Sequence, residues 1–304
     1  MLWVSWARIW LKLVLKTGLA AVGVAWRLLT PAPRGLRVLL YHRVNPHAFS
    51  QLGPVSREIT VRPDAFARQL RHLRRNGWRA LGPDELLQTV RGERAPQPRE
   101  CVITFDDGYE DNLIWAEPLL RQHGFAAIVF VTTSRFGQDS GAAGWGHDAP
   151  GCGRFLTKAQ VQQWLDAGQH LGSHTHTHAL AAQQNDAELL EEYRLSRQLL
   201  EQDFRRTVRL LAYPDGSFDA RAEAAAVRAG YLASFTTTPG INRPGTPAHA
   251  LRRTEVSASD SFWLFRLKLL GALDWLWFKE SPRLRLAVRL SNRALVWLLT
   301  KERA

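Results

Sequence analysis

Short apolar segments alternate with helix-forming segments through the centre of the chain, and this alternation constrains the fold more than any other feature. Seven segments are typical of buried or half-buried strands, and five longer ones show helical spacing of apolar residues. The strand segments are 36–42, 100–108, 125–133, 170–174, 208–214, 232–237 and 251–256, and the helical ones are 63–77, 112–124, 157–168, 186–203 and 219–230. Repeated strand-then-helix units predict an α/β fold with a parallel sheet and helices outside it.

Polar residues follow four of these strand segments directly. His42, the pair Asp106 and Asp107, the stretch 172–178 and the sequence "YPDG" at 213–216 all stand where an apolar strand ends. In barrel-like parallel sheets the chemistry gathers at the carboxyl ends of the strands. We therefore expect these residues to meet in one site.

Basic charge is concentrated at the two ends of the chain. The net charge is +12, yet residues 1–30 hold four basic residues and no acid, and residues 261–304 hold nine against three acids. Because the middle is close to neutral, nucleic-acid binding is disfavoured. The 45% of hydrophobic residues indicates a globular core rather than disorder. Cys101 and Cys152 are too few for a disulfide framework.

Residues 1–35 have the pattern of a cationic amphipathic helix. Apolar residues including several tryptophans recur at helical spacing, while Arg8, Lys12 and Lys16 step along another face. The charge-free run 17–26 is shorter than the ~17 to 25 residues that a spanning helix needs. A secretory signal peptide is an alternative, although no clear small-residue cleavage site follows Trp26.

Residues 261–304 show a similar basic, tryptophan-rich pattern. After Pro282 an apolar stripe and the arginines at 285, 289 and 293 lie on different sides of a predicted helix. Both ends are typical of interfacial helices whose basic residues meet anionic lipid. The alternative is that the terminal helices pack on the protein's own core or on a partner subunit. The predicted domains are thus a membrane-associating segment 1–35, a catalytic domain 36–260 and C-terminal helices 261–304.

Asp106, Asp107 and the histidines of "GSHTHTH" form the strongest chemical pattern. Two histidines four apart on a helical turn point the same way, so His174 and His178 are expected to grip one ion while His176 points elsewhere. Two imidazoles and one carboxylate make a common catalytic zinc set with an open position.

Three motifs together resemble those of a known family. "TFDDGY", then "GSHTHTH", then "AYPDGSFD" are similar, in this order, to the first three motifs of the polysaccharide deacetylases, also called carbohydrate esterase family four or the NodB-homology domain. The resemblance covers 37–256. It implies an incomplete, distorted (β/α) barrel and a metal-dependent hydrolase that removes N-acetyl or related acyl groups from sugars.

The resemblance also implies a role for each matched residue. Asp107, His174 and His178 would hold the metal, and Asp106 would be the general base. The backbone N–H of Asp215, the residue before the glycine of the third motif, would stabilise the oxyanion.

Two departures from the common family pattern leave alternatives open. No "LHD"-like motif follows the third motif, and "LLYHRVN" at 39–45 is similar to the first strand of a permuted branch, so His42 is the candidate general acid and His249 the alternative. Ala212 stands where the family has an arginine. Arg252 or Arg253 is expected to replace it in orienting Asp106.

The sequence therefore predicts a metal-dependent deacetylase of an N-acetylated glycan or lipid-linked sugar. Zinc fits the ligands best, and cobalt, nickel and manganese fit them too. We expect peripheral association with an anionic inner membrane, with the cytoplasmic face favoured. The alternatives are a deformylase of a lipid-linked amino sugar and a glycan-binding module that has lost turnover.

Overall fold

A curled parallel sheet forms the centre of the protein. The structure is a computed structural model that describes residues 2–29, 35–141 and 148–280. Its main sheet has eight strands, and a second sheet pairs two short strands. The strands are β1 (Arg37–Tyr41), β2 (Arg43–Val44), β3 (Thr60–Val61), β4 (Arg79–Ala80), β5 (Glu100–Phe105), β6 (Ile128–Val131), β7 (His170–Ser173), β8 (Leu210–Ala212), β9 (Ala233–Phe235) and β10 (Thr254–Glu255).

Helices connect most of the strands, as the alternating pattern predicts. They are α1 (Leu2–Leu29), α2 (Pro54–Ile59), α3 (Pro63–Arg75), α4 (Pro83–Val90), α5 (Glu117–His123), α6 (Lys158–Asp166), α7 (Asp186–Phe204), α8 (Ala220–Arg228) and α9 (Phe262–Leu269). Local sequence sets several of their ends. Thr157 and Asn185 begin α6 and α7 with capping boxes, and the left-handed Gly124 ends α5.

The order of the strands makes an incomplete barrel. The sheet runs β10-β1-β5-β6-β7-β8-β9, with β4 beside the start of β5. Every pairing in it is parallel. The sheet curls until Phe235 at the end of β9 forms a parallel bridge with Leu251, three residues before β10. This confirms the predicted α/β fold of the incomplete (β/α) barrel type.

The packing of this barrel fixes the level of the strand ends. Apolar side chains fill both sides of the sheet, and Leu39, Ile103, Val129 and Leu211 are fully buried in the larger cluster. Tyr41 is in register with Phe105, so the residues after them emerge side by side. His42 and Asp106 therefore leave adjacent strands at the same edge of the barrel.

The structure describes the N-terminal helix α1 but not the residues after 280. Helix α1 packs along α9, burying Ala20 against Leu264, Ala272 and Leu273. No helix among the described residues is long and apolar enough to cross a bilayer. The predicted helix after Pro282 lies outside the described residues. Both cysteines are free and buried.

Candidate active site

The acidic pair lies where β5 ends and the chain turns sharply. Asp107 and Gly108 both have positive φ angles, 73° and 76°. At Gly108 a Cβ would lie 2.9 Å from Cγ1 of Val131, so glycine suits the turn both in conformation and in space. The turn aims two adjacent carboxylates in different directions, and Asp106 and Asp107 have different partners.

The histidine stretch is a loop, and the predicted helical turn at 174–178 is wrong. Strand β7 ends at Ser173, and the next residues have no regular structure. Thr175 and His178 both adopt a φ of 66°. These two left-handed residues fold the chain back so that the rings of His174 and His178 lie 4.9 Å apart between centroids, edge to face. The two histidines meet as the sequence predicts, but through a different backbone.

Asp107, His174 and His178 form a cluster that fits a metal ion. Their candidate ligand atoms all lie within 4.8 Å of one another. Oδ1 of Asp107 is 3.3 Å from Nε2 of His174 and 3.5 Å from Nε2 of His178. Nδ1 of His174 lies 2.8 Å from the carbonyl oxygen of Ala212, a contact that fixes Nε2 as the nitrogen facing the cluster.

The charge state of Asp107 suits this role. Burial raises the pKa of its carboxyl, but hydrogen bonds from His174 and His178 outweigh that effect and hold the pKa well below its ordinary value. A carboxylate and two imidazole nitrogens are ligands that zinc accepts, with room left for a further ligand.

His176 is not part of the cluster. Its Nδ1 lies 2.8 Å from Oγ1 of Thr133, and its backbone N–H donates to Glu192. The middle histidine therefore holds the loop in place, with its ring turned towards Thr133.

Asp106 pairs with Arg253 in the interior. The guanidinium donates from Nη1 and Nη2 to the two carboxylate oxygens, each at 2.7 Å, and both side chains are almost fully buried. Burial raises the pKa of the Asp106 carboxyl, but the charge and hydrogen bonds of Arg253, together with the nearby His174 and His42, more than offset it and keep the pKa below its ordinary value. Asp106 is thus held ionised, as a proton acceptor must be.

The structure distinguishes the two arginines that the sequence left open. Arg253 occupies the orienting position beside Asp106, whereas the side chain of Arg252 lies against Gly240 and its backbone pairs with Asn242. Ala212, the last residue of β8, is fully buried, and its side chain has no group that could orient Asp106.

The two candidate acid histidines lie in different places. His42 lines the cavity that contains Asp106, Asp107, His174 and His178. His249 lies in a short turn, where its Nδ1 is 3.0 Å from Oγ of Ser234, and it is not among the described residues that line this cavity. The geometry favours His42 as the proton donor.

The turn after β8 carries the candidate oxyanion donor. Asp215 has a φ of 52° and also lines the cavity. The next two amides, of Gly216 and Ser217, donate to the carbonyls of Tyr213 and Pro214. The Asp215 N–H is therefore the amide of this turn that suits an oxyanion.

A buried ion pair that the sequence did not single out joins two of the motifs. Nε of Arg43 donates to Asp111 at 2.7 Å, and the guanidinium lies 4.3 Å from the Tyr109 ring centroid. Arg43 follows His42, and Asp111 follows the acidic pair, so the contact fixes the two strand ends against each other. The available signal was a charged residue directly after the apolar strand segment 36–42.

Two lysines of α1 also reach this site. The cavity measures about 1010 Å³, and Lys12 and Lys16 line it together with the acidic and histidine residues. The sequence predicted that the basic stripe of this helix meets lipid. The structure instead turns these two lysines towards the catalytic domain.

Comparisons with known proteins agree with this architecture. Residues 93–234 match the family model for polysaccharide deacetylase. YxkH of Bacillus subtilis (strain 168), provisionally named a polysaccharide deacetylase, is 27% identical over 77% of this chain and 75% of its own.

Solved structures show the same fold. A Streptococcus pyogenes deacetylase, PplD, in complex with acetate has a TM-score of 0.67 at 22% identity, covering 79% of this chain and 99% of its own. IcaB from Ammonifex degensii has a TM-score of 0.66 at 21% identity, and the match covers 80% of this chain and 98% of IcaB. Three ordered motifs, a family model matched over residues 93–234 and a shared fold show that the chain carries a domain similar to the polysaccharide deacetylases, and they support a hydrolase of the deacetylase class.

Proposed function

We propose that the protein is a metal-dependent hydrolase that removes N-acetyl groups from an amino sugar in a polysaccharide or lipid-linked glycan at a membrane surface. One observation carries the proposal. The cluster of Asp107, His174 and His178 lines the same cavity as Asp106, whose carboxylate is bound by Arg253. The candidate metal ligands and the candidate general base can therefore act on one substrate.

Asp107, His174 and His178 would hold the ion. A divalent metal there supplies a Lewis acid that polarises the acyl oxygen and lowers the pKa of water. Zinc suits two imidazoles and a carboxylate, and cobalt, nickel and manganese are further candidates.

The chain's own residues move the protons. Asp106 accepts a proton from the attacking water while the water oxygen adds to the acyl carbon. Arg253 keeps the Asp106 carboxylate oriented. The Asp215 N–H donates to the acyl oxygen as negative charge develops there. His42 donates a proton to the nitrogen as the carbon–nitrogen bond breaks. The products are a carboxylate and a free amino sugar.

We also propose a peripheral location at an anionic inner membrane, with the cytoplasmic face favoured. Support comes from the basic and tryptophan-rich ends of the chain and from large apolar side chains that α1 exposes, including Trp10, Leu11 and Val14.

Acyl release from a substrate panel tests the reaction. The zinc-loaded protein is incubated with N-acetylated oligosaccharides, polyprenyl-linked N-acetyl sugars and their N-formyl analogues, and acetate and formate are measured. We expect acetate from at least one N-acetyl substrate. Release of formate alone would indicate a deformylase instead of a deacetylase. If metal is bound and neither acid is released, the result would indicate a glycan-binding module without turnover.

A further inference from the structure

Helix α1 forms one wall of the catalytic cavity. Nζ of Lys12 donates to Glu58 at 2.6 Å. Nζ of Lys16 donates to the hydroxyls of Ser257 and Ser259 at 3.0 and 2.9 Å, and to Oδ1 of Asp260 at 3.1 Å. The Lys12 contact joins α1 to α2, and the Lys16 contacts join it to the segment that follows β10.

Apolar packing fixes the same side of α1 to the C-terminal part of the fold. Ala20 is fully buried against Leu273 and Leu276, both of which line the cavity. At Gly23 the backbones touch, since a Cβ there would lie only 1.6 Å from the carbonyl oxygen of Ala272. The helix is thus seated firmly on the catalytic domain.

The opposite side of α1 is apolar and exposed. Its large residues Trp10, Leu11, Val14, Leu15 and Val22 are between 57% and 63% exposed. Lys12 and Lys16 are the only charged residues from 9 to 25, and both contact the catalytic domain. The outer side therefore presents an uncharged surface about 24 Å long at ~1.5 Å per residue.

The neighbouring segment continues this character. Trp263 is exposed on α9, and Leu270 and Trp277 are exposed after its end. The guanidinium of Arg266 lies 4.6 Å from the Trp263 ring centroid. Exposed tryptophans beside cations are typical of surfaces at the headgroup level of a bilayer.

Charge argues for lipid rather than a second copy of the chain on this surface. With Lys12 and Lys16 paired to Glu58 and Asp260, residues 1–30 still contain the basic residues Arg8 and Arg27 against no acid, and residues 261–304 carry a net +6 by sequence. Two copies of so basic a chain repel each other, whereas anionic lipid headgroups attract it. We expect the apolar outer side of α1 to enter such an interface.

We propose that α1 is both the membrane-docking surface and a wall of the catalytic cavity, so that the substrate is an amino sugar carried by a membrane lipid. This rests on the proposed deacetylase function. Lys12, whose side chain is 48% exposed, marks the rim where α1 meets the cavity. A sugar on a lipid anchored beside α1 reaches the metal ligands without leaving the membrane surface.

A double variant of the outer side of α1 tests the proposal. Trp10→Gln/Val14→Gln removes two exposed apolar side chains that do not line the cavity, and Val227→Gln/Leu232→Gln is the matched control at exposed positions on and beside α8. Flotation with vesicles of phosphatidylglycerol and phosphatidylethanolamine measures binding. Acetate release is measured from a polyprenyl-phosphate-linked N-acetyl sugar in those vesicles and from a soluble N-acetylated oligosaccharide.

In the α1 variant we expect vesicle binding and acetate release from the vesicle substrate each to fall by at least about tenfold. The reason is that two large apolar side chains that would be buried in the bilayer have been removed. Release from the soluble substrate and both readouts of the control variant should stay within about twofold. Binding at wild-type level, equal losses on both substrates, or a wild-type preference for the soluble substrate would each overturn the proposal.

Failure of the proposed function looks different. If the wild-type protein releases acetate from neither substrate, the deacetylase function and the lipid-borne substrate both fall. Vesicle flotation of the two variants then still decides whether α1 is a docking surface.

Discussion

Asp106→Asn is expected to lower kcat for acetate release by about 10³-fold while leaving zinc bound, because general-base catalysis typically contributes 10²–10⁴. The amide keeps the shape of the carboxyl but accepts no proton from water. Asp107, His174 and His178 are untouched by the change, so the ligand cluster remains complete. KM should change little, since the lost interaction is with the attacking water.

The buried position of Asp106 adds a cost in stability. Arg253 is fully buried and donates to both carboxylate oxygens. The amide of asparagine can accept only some of the hydrogen bonds that the Arg253 guanidinium donates. Breaking a buried ion pair typically lowers the free energy of unfolding by about 3–5 kcal/mol. The free energy of unfolding should therefore fall, and the assay belongs well below the melting temperature of the variant.

Asp107→Asn is the matched comparison for this variant. It changes the adjacent carboxylate in the same way, but the residue lost is a predicted metal ligand. Both variants should lose most of their activity, and only Asp107→Asn should lose zinc in a dialysis measurement. Substantial turnover by Asp106→Asn would refute the assignment of the base, and loss of zinc by Asp106→Asn would show that the two carboxylates act as one ligand set.

His42→Gln is expected to reduce acetate release from an N-acetyl sugar by about 10²–10³-fold, as for the loss of a general acid. His42 leaves β1 level with Asp106 and lines the cavity. His249→Gln should have little effect, because that ring contacts Ser234 instead.

An ester with a good leaving group separates the acid from the base. 4-Nitrophenyl acetate releases nitrophenolate without needing a proton, so His42→Gln should hydrolyse it at close to the wild-type rate. Asp106→Asn should fail on both the ester and the amide, because both need an activated water. If His249→Gln is the slower variant on the amide, the acid assignment moves to His249.

The sequence predicted the parallel sheet with helices outside it because the signals for strands and helices are local. Each strand segment is a short apolar run between a helix stop and a polar end, and the segment 100–105 forms β5 as expected. Parallel strands then bring their carboxyl ends together whatever the detailed register. The meeting of Asp107 with His174 and His178 follows from that topology and from two motifs.

The backbone of the histidine loop was harder to predict. Spacing by four favoured a helical turn, but Thr175 and His178 take left-handed conformations, which are uncommon outside glycine and especially so for a β-branched threonine. Such conformations persist where the surrounding structure holds them, and they concentrate at functional sites. His174 and His178 still meet, because the loop, like a helical turn, brings the first and last histidines together.

Contacts between distant segments carried no local signal. The choice between Arg252 and Arg253 depends on which of two neighbouring side chains points into the barrel, and the register of β10 against β1 decides it. The direction of Lys12 and Lys16 likewise depends on Glu58 and Asp260, which lie far away in sequence. A helical pattern separates two faces but does not say which face meets the protein.

Titration of metal-free protein with zinc, followed by the rate of acetate release, decides whether the hydrolysis depends on a metal. We expect almost no release from chelated protein, a rate that rises with added zinc up to one equivalent per chain and then stays constant, and no rise for Asp107→Asn. A full rate in the presence of chelator, or an unchanged rate when zinc has bound, would contradict the metal-dependent mechanism built on Asp107, His174 and His178.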